Sequence, residues 1–377
     1  MLRNLLTSLA IIISFSGYAQ TTAKEWYDKG TELKTNEKHT EAIAAFKKAI
    51  ALKPGYADAY HQLGWCYNEV GDYEQALDAL GKEARAGASN ESHNIFEIGY
   101  AYEGLKKYEE AITKLDRAIE LDNDYALAYK ERGNCNFKLK NYDLVLADFD
   151  KYESLSIVDK FTAEHYYKRG WVENDQGKYE AAVETLKKCV AADKKYTDGY
   201  TELGYAYYKL GRDEKAIDAY RNGMLTDPED YHPVLGIGDV YYENVKNYDS
   251  AIVYYVKGTK LQQKDKRPYY RLGWCYNDKK EYFMAISALK KAVDLDPEYN
   301  VAMNELGYAY YKSDNYDAAL VQFLPVMQRD PKDELSRYYA GFCYYLKDDQ
   351  AGLKKMISEL KDLNSTTYAE TLTKYIK

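Results

Sequence analysis

Along most of the chain, apolar residues flank a glycine at fixed offsets, four positions before and three after. Tyr60, Gly64 and Tyr67 show the pattern, as do Tyr200, Gly204 and Tyr207. That spacing marks one face of a helix at 3.6 residues per turn. A turn and a second periodic run follow each time. Gly71-Asp72-Tyr73 leads to Ala76, Leu80 and Glu83, and Gly211-Arg212-Asp213 leads to Ala216, Tyr220 and Gly223. The second run often closes on Asp-Pro, at Asp227-Pro228, Asp296-Pro297 and Asp330-Pro331, and proline ends a helix because it disfavours the helical region in the residue before it. Pro233 and Pro268 stand where a following first helix starts, a place that suits their fixed φ. The pattern predicts an all-α chain of helix–turn–helix units.

The glycines set the period. They are Gly30, Gly64, Gly99, Gly133, Gly170, Gly204, Gly238, Gly273, Gly307 and Gly341, and successive intervals are 34, 35, 34, 37, 34, 34, 35, 34 and 34 residues. Self-similarity held this closely is the signature of a repeat architecture. A longer period lies above it. LGWCYN at 63–68 returns at 272–277, with RGWVEN at 169–174 between them, and each is followed one unit later by a GYAY stretch, at 99–102, 204–207 and 307–310. The three-unit block reads as triplicated.

The pattern resembles the tetratricopeptide repeat family, whose 34-residue signature sets an aromatic, Leu-Gly, Tyr, Ala, an aromatic, Ala and Pro at fixed positions. Residues 197–230 match in Tyr200, Leu203-Gly204, Tyr207, Ala216, Tyr220 and Pro228, with Gly223 in place of the second Ala. Residues 23–56 match in Trp26, Gly30, Ala42, Phe46, Ala49 and Pro54. The resemblance covers residues 23–363 and implies a right-handed α-solenoid of about ten repeats, with residues 364–377 as a C-terminal capping helix. Two units depart from the signature. The fourth has Val145 for the Ala, no closing Pro and three extra residues near Ser154–Asp159, and the tenth loses the second-helix pattern around Leu353.

With each repeat glycine numbered eight, the register sorts the other residues. Cys66, Cys135, Cys275 and Cys343 fall at position ten, which in the family is a small buried residue, so they are expected to pack as small hydrophobes rather than pair. Tyr at positions four, eleven and seventeen is expected in the core. Position nine carries Trp65, Tyr100, Trp171, Tyr205, Trp274, Tyr308 and Phe342, with Asn134 and Asp239 in two middle units. Positions five, nine and twelve share one stripe of the first helix. Tyr208, Tyr242, Tyr311 and Tyr345 occupy position twelve, and Tyr27, Phe96, Tyr167, Tyr270 and Tyr338 position five. The resemblance implies that this stripe lines a concave groove for peptide segments, where Tyr and Trp are favoured contact residues. Packing of the same rings against the adjoining repeat is the competing reading. A carboxylate-gripping Lys/Asn set of the family starts at Lys130 and Asn134, but Lys168 and Asp198 stand where further Asn and Lys are wanted, so that clamp is not expected.

Composition changes the picture in three places. The formal charge of −8, with 52 Lys+Arg against 60 Asp+Glu, argues against a general nucleic-acid binder, which needs basic patches for phosphate. The five His (His39, His61, His93, His165 and His232) are scattered, and HExxH, GxSxG and phosphate-cradling glycine loops are missing. No catalytic residue, cofactor or metal ligand is therefore expected. Residues 1–19 read as a signal peptide, with Arg3, the apolar run Leu5 to Phe15 and Gly17-Tyr18-Ala19 before Gln20. The expectation is a periplasmic or secreted scaffold, cleaved near Ala19–Gln20, binding protein or peptide segments of the envelope or secretory route, and not an integral membrane protein. A glycan- or small-ligand-binding solenoid and a structural homo-oligomer stay open as alternatives.

Overall fold

The computed structural model describes residues 22–87, 90–156 and 161–377, so the expected signal peptide lies outside the described residues. The chain divides into two compact units, residues 1–159 and 160–377. In the first, helices pair as Ala23–Thr35 with His39–Leu52, Ala57–Glu69 with Tyr73–Ala86, Glu91–Gly104 with Tyr108–Leu121, and Ala126–Lys138 with Tyr142–Leu155. The second unit holds Ala163–Asp175 with Tyr179–Ala192, Thr197–Lys209 with Asp213–Thr226, and His232–Asp239 with Tyr248–Leu261. It continues as Lys266–Asp278 with Tyr282–Leu295, Asn300–Lys312 with Tyr316–Arg329, and Glu334–Leu346 with Gln350–Asp362, then closes with Thr366–Thr373. These are ten pairs, each with a helix A and a helix B, stacked within each unit as an all-α solenoid.

The repeat glycine is small because helix B sits on it. A Cβ built on Gly64 would stand 2.6 Å from Leu80 Cγ, one on Gly204 2.6 Å from Tyr220 Cδ1, and one on Gly307 2.5 Å from Phe323 Cε1. Those helix-B side chains, with the alanines four residues before them such as Ala76, Ala216 and Ala319, are buried core. All five cysteines are buried, as expected for the four at position ten. Cys66, Cys135, Cys275 and Cys343 take the same place as Ala101, Ala206 and Ala309, all fully covered.

The A–B turn needs one residue in the left-handed region, seven positions after the repeat glycine. Gly71, Gly177 and Gly211 supply it without steric cost, whereas Glu37, Lys106, Lys140, Lys280, Asp314 and Asp348 adopt the same φ near +60°. In repeat seven the residue is Lys246, eight positions on. The extra residue is absorbed as a π-helical turn, Val240–Asn244, at the end of helix A. Between repeats, Asp227, Asp296 and Asp330 do more than precede a proline. Each carboxylate accepts the backbone N–H two residues on, at 2.9–3.0 Å, which locks the turn.

Two expectations need correcting. At position eleven Tyr67 and Tyr207 are buried but Tyr102, Tyr241, Tyr276, Tyr310 and Tyr344 are half-exposed, as are the tyrosines of positions four and seventeen such as Tyr60, Tyr200, Tyr73 and Tyr282. Tyr73, for one, packs against the core from its edge. In repeat ten, helix B forms despite its weak pattern, with Leu353, Met356 and Leu360 buried. Its glycine, Gly341, faces Leu372 of the closing helix, 2.4 Å from a built Cβ. The closing helix thus supplies the contact that helix B makes in the other repeats.

Candidate functional site

Helix A turns position nine about 100° away from the core position ten. Cys66, Val172, Ala206, Cys275 and Ala309 are buried, and their neighbours Trp65, Trp171, Tyr205, Trp274 and Tyr308 are half-exposed, as are Tyr100 and Phe342. The position-nine rings are therefore flanked on one side and open on the other. Trp65 has the Lys34 ammonium 4.6 Å above its ring and His39 edge-on at 5.4 Å. Trp274 stacks on Tyr270 at 5.9 Å and leans on Tyr242 at 5.1 Å. Tyr308 meets Tyr282 and Tyr339 edge-on at 6.3 and 5.2 Å. Burial pushes the Tyr100 phenol up to about 12.

Position twelve behaves differently from the expected open stripe. Tyr208 and Tyr242 are buried, and their hydroxyls donate to the carboxylates of Glu243 and Asp278 in the next repeat. They are packing residues of the seam. Tyr311 lies against Tyr316, Tyr339 and Phe342. Tyr345 and Phe342 are covered by Tyr375, at 4.7 and 5.4 Å, so the C-terminal residues lie over the last two aromatics of the row. At position five, Phe96 is buried and meets Tyr125 tilted at 4.8 Å.

The structure also assembles a group that sequence reasoning missed. In the three Trp-bearing repeats position twelve is Asn68, Asn174 and Asn277, each 3–4% exposed. Each donates through Nδ2 to both the backbone carbonyl and the carboxylate of a glutamate in the next helix A: Glu97 at 3.1 and 2.7 Å, Glu202 at 3.1 and 2.9 Å, and Glu305 at 3.0 and 2.8 Å. The amide oxygen of all three asparagines has no hydrogen-bond partner. Burial raises each glutamate above the ordinary carboxylate range, opposed by the asparagine bond, and brings Glu97 to about 6. The signal was present in the sequence: the LGWCYN and RGWVEN blocks both end in this asparagine, and each GYAY block has a glutamate two residues before its glycine.

In the second unit this Trp–Asn–Glu–Tyr frame lines two pockets. One, of about 340 Å³, has Trp171, Asn174, Glu202 and Tyr205 on one side and His232, Asp239, Arg267 and Arg271 on the other. There Asp239, at position nine of repeat seven, accepts from Arg271 at 2.9 Å and from Tyr255 Oη at 2.9 Å. Burial lifts its carboxyl to about 6 against the pull of Arg271. The other, of about 400 Å³, has Trp274, Asn277, Glu305 and Tyr308 with Tyr270, Asp278 and Tyr339. At the expected clamp start, Lys130 and Asn134 both turn to Glu131, at 3.0 and 2.7 Å. Among the described residues, no three His, Cys, Asp or Glu side chains gather closely enough to hold a metal ion, and no helix is long and apolar enough to cross a membrane.

Family models described as tetratricopeptide or TPR repeats match residues 23–56, 45–78, 99–140, 170–211, 197–230, 267–299 and 284–334, together more than half of the chain. The helix pairs of repeats seven and ten extend the same architecture beyond those segments. Among curated proteins, the chain is 25% identical over 254 residues to BBSome complex member BBS4 of Bos taurus, covering 67% of this chain and 41% of that protein. It is 26% identical over 216 residues to RNA polymerase II-associated protein 3 of Xenopus laevis, covering 51% and 31%. The chain thus spans less than half the length of either relative. Among solved structures, Pseudomonas aeruginosa pilF is similar with a TM-score of 0.49 and 19% identity, covering 56% of this chain and 97% of that one. Yeast Tom70 is similar with a TM-score of 0.45 and 13% identity, covering 93% and 95%.

Proposed function

The chain belongs to the tetratricopeptide repeat family, whose stacked repeats build protein-interaction scaffolds, and from that premise we propose that it binds protein or peptide segments, without catalysis, along the position-nine aromatics of helix A within each unit. One observation carries the reading. Seven rings recur at the same place on helix A, each half-exposed beside a fully buried position ten, and two of the repeats open into pockets against them. Half-exposed Tyr and Trp on rigid helices offer large contact areas at a small entropy cost. The charged start, apolar run and small residues of 1–19 support a periplasmic or secreted location, with envelope or secreted partners.

The experiment captures partners from an envelope extract with residues 20–377 and with a Trp65/Trp171/Trp274→Ala variant of equal helicity. A protein held by the first and lost by the second supports the groove and is then mapped by cross-linking to the rings. Equal capture by both moves binding to helix B or the turns and overturns the reading. Loss of soluble oligosaccharide binding in the variant, without any protein capture, makes the occupant a glycan.

A further inference from the structure

We propose that the pocket around Trp274 recognises an arginine side chain presented by the protein partner. The inference rests on the groove reading and specifies what one part of the groove selects. Three observations lead to it.

The first is the pocket's unbalanced chemistry. Trp274, Tyr270, Tyr308 and Tyr339 supply aromatic faces and edges, while Asp278 and Glu305 supply two carboxylates, and no basic residue lines it. The Asp278 carboxylate is exposed, and it also acts on Glu305, adding to the burial that already raises that group. A cation between them offsets both the repulsion and the desolvation. Aromatic walls attract that cation through their negative faces.

The second is Asn277. It lines the pocket, is 97% buried (3% exposed), and its amide oxygen accepts no hydrogen bond. That oxygen is enclosed rather than open to the pocket, while Nδ2 holds the Glu305 carboxylate at 2.8 Å, so the site presents two fixed carboxylates as acceptors. A guanidinium brings five N–H donors on a plane that also stacks on rings, whereas an ammonium is a compact, strongly hydrated point charge. The acceptor count and the flat walls select arginine over lysine.

The third is a precedent inside the same unit. The frame around Trp171 repeats this one residue for residue, with Asn174 carrying the same unpartnered oxygen. There the chain's own Arg267 and Arg271, from the repeat three along, line the facing wall, paired with Asp265 and Asp239, so that pocket already holds positive charge. The wall facing the Trp274 frame carries Leu335 and Tyr339 instead, and among the described residues no arginine lines it. The positive charge that the first pocket draws from its own chain, the second takes from a partner.

The test follows the indole N–H resonance of Trp274, assigned by Trp274→Phe, in heteronuclear NMR of the intact chain. The probes are N-acetylated, C-amidated Gly-Arg-Gly, the same tripeptide with citrulline, and the same with lysine. The expected result is saturable movement of the Trp274 signal with the arginine peptide, about tenfold weaker binding of the lysine peptide, and none with citrulline, which keeps the shape without the charge. Glu305→Gln and Asp278→Asn each keep an acceptor for Asn277 and Tyr242. Each is expected to weaken arginine binding about tenfold with the far-ultraviolet circular dichroism unchanged. The Trp171 signal stays still. Equal binding of citrulline, equal movement at Trp171, insensitivity to both variants, or no movement at all overturns the proposal. If it falls while tryptophan-dependent capture persists, the groove reading stands and only its arginine specificity is lost. If capture falls as well, both are lost.

Discussion

Gly64 lies in helix A and Gly81 in helix B of the same repeat, yet alanine at the two positions is expected to act in opposite directions. At Gly64 a Cβ stands 2.6 Å from Leu80 Cγ and 2.7 Å from Leu80 Cδ2, while carbon atoms rest about 3.5–4.0 Å apart. The leucine must therefore give by nearly 1 Å at its branch carbon. It is fully buried, and cores are packed too densely to yield that space freely. Overpacking of this kind costs about 1–3 kcal/mol; a branch carbon with no exit puts Gly64→Ala at the upper end. Alanine returns about 1 kcal/mol of helix propensity, which leaves a net loss of about 2 kcal/mol. At Gly81 nothing lies within 4 Å of the added carbon and φ is not positive, so only the propensity gain of about 1 kcal/mol applies. The difference between the variants isolates the clash. Because repeat arrays open locally, the assay is native-state hydrogen exchange of helix A amides in repeat two. Protection is expected to fall about 30-fold in Gly64→Ala and rise about fivefold in Gly81→Ala, using 1.4 kcal/mol per factor of ten. Leu80→Ala combined with Gly64→Ala is expected to cost less than the two changes summed. Equal protection in the two glycine variants would refute close approach as the reason for the 34-residue glycine.

Glu97, lifted to about 6 by burial from 4.5, makes the folded chain bind its proton more tightly than the unfolded chain. Its contribution is therefore complete below pH 4.5 and lost as pH rises through 6, about 2 kcal/mol in all. Glu97→Gln is expected to remove that slope from urea midpoints measured between pH 4.5 and 6.5; an unchanged slope contradicts the assignment. Burial pushes the thiols of Cys66, Cys189, Cys275 and Cys343 up to about 12, and Cys135 is buried too. Ellman's reagent is expected to count five thiols in denaturant and almost none in the native chain; rapid native labelling would count against the packing role. Arg132 holds Asp116 at 2.6 Å and the buried Asp148 at 2.6 and 3.1 Å. Arg132→Met is expected to cost about 3 kcal/mol in chemical denaturation by stranding Asp148, with partial recovery in Arg132→Met/Asp148→Leu. No recovery in the pair would place the loss in packing instead.

Much of the fold was legible because its determinants are local. The flanking of each glycine by apolar residues at −4 and +3, the second run and the Asp-Pro stops all act within about one helical turn, and they located the ten helix pairs. The burial of Cys66, Cys135, Cys275 and Cys343 followed from their register together with what the family resemblance implies for position ten. The candidate site was legible only in part. Position nine emerged as a half-exposed row, since a 100° turn from a buried position is a property of one helix. Position twelve did not hold to that rule: Tyr208 and Tyr242 are buried because Glu243 and Asp278, 35 and 36 residues on, accept their hydroxyls.

What the sequence by itself determined was the period, the helix pairs and the orientation of side chains around each helix, because a helix obeys spacing within seven or eight residues. The tertiary structure decided which of those side chains stay open. Asn68, Asn174 and Asn277 reach glutamates 28 or 29 residues away, Tyr375 folds over Phe342 and Tyr345, and Arg271 meets Asp239 from the next repeat. Each depends on how one helix pair seats on its neighbour, a geometry set by the summed packing of two surfaces and carried by no single stretch of the chain.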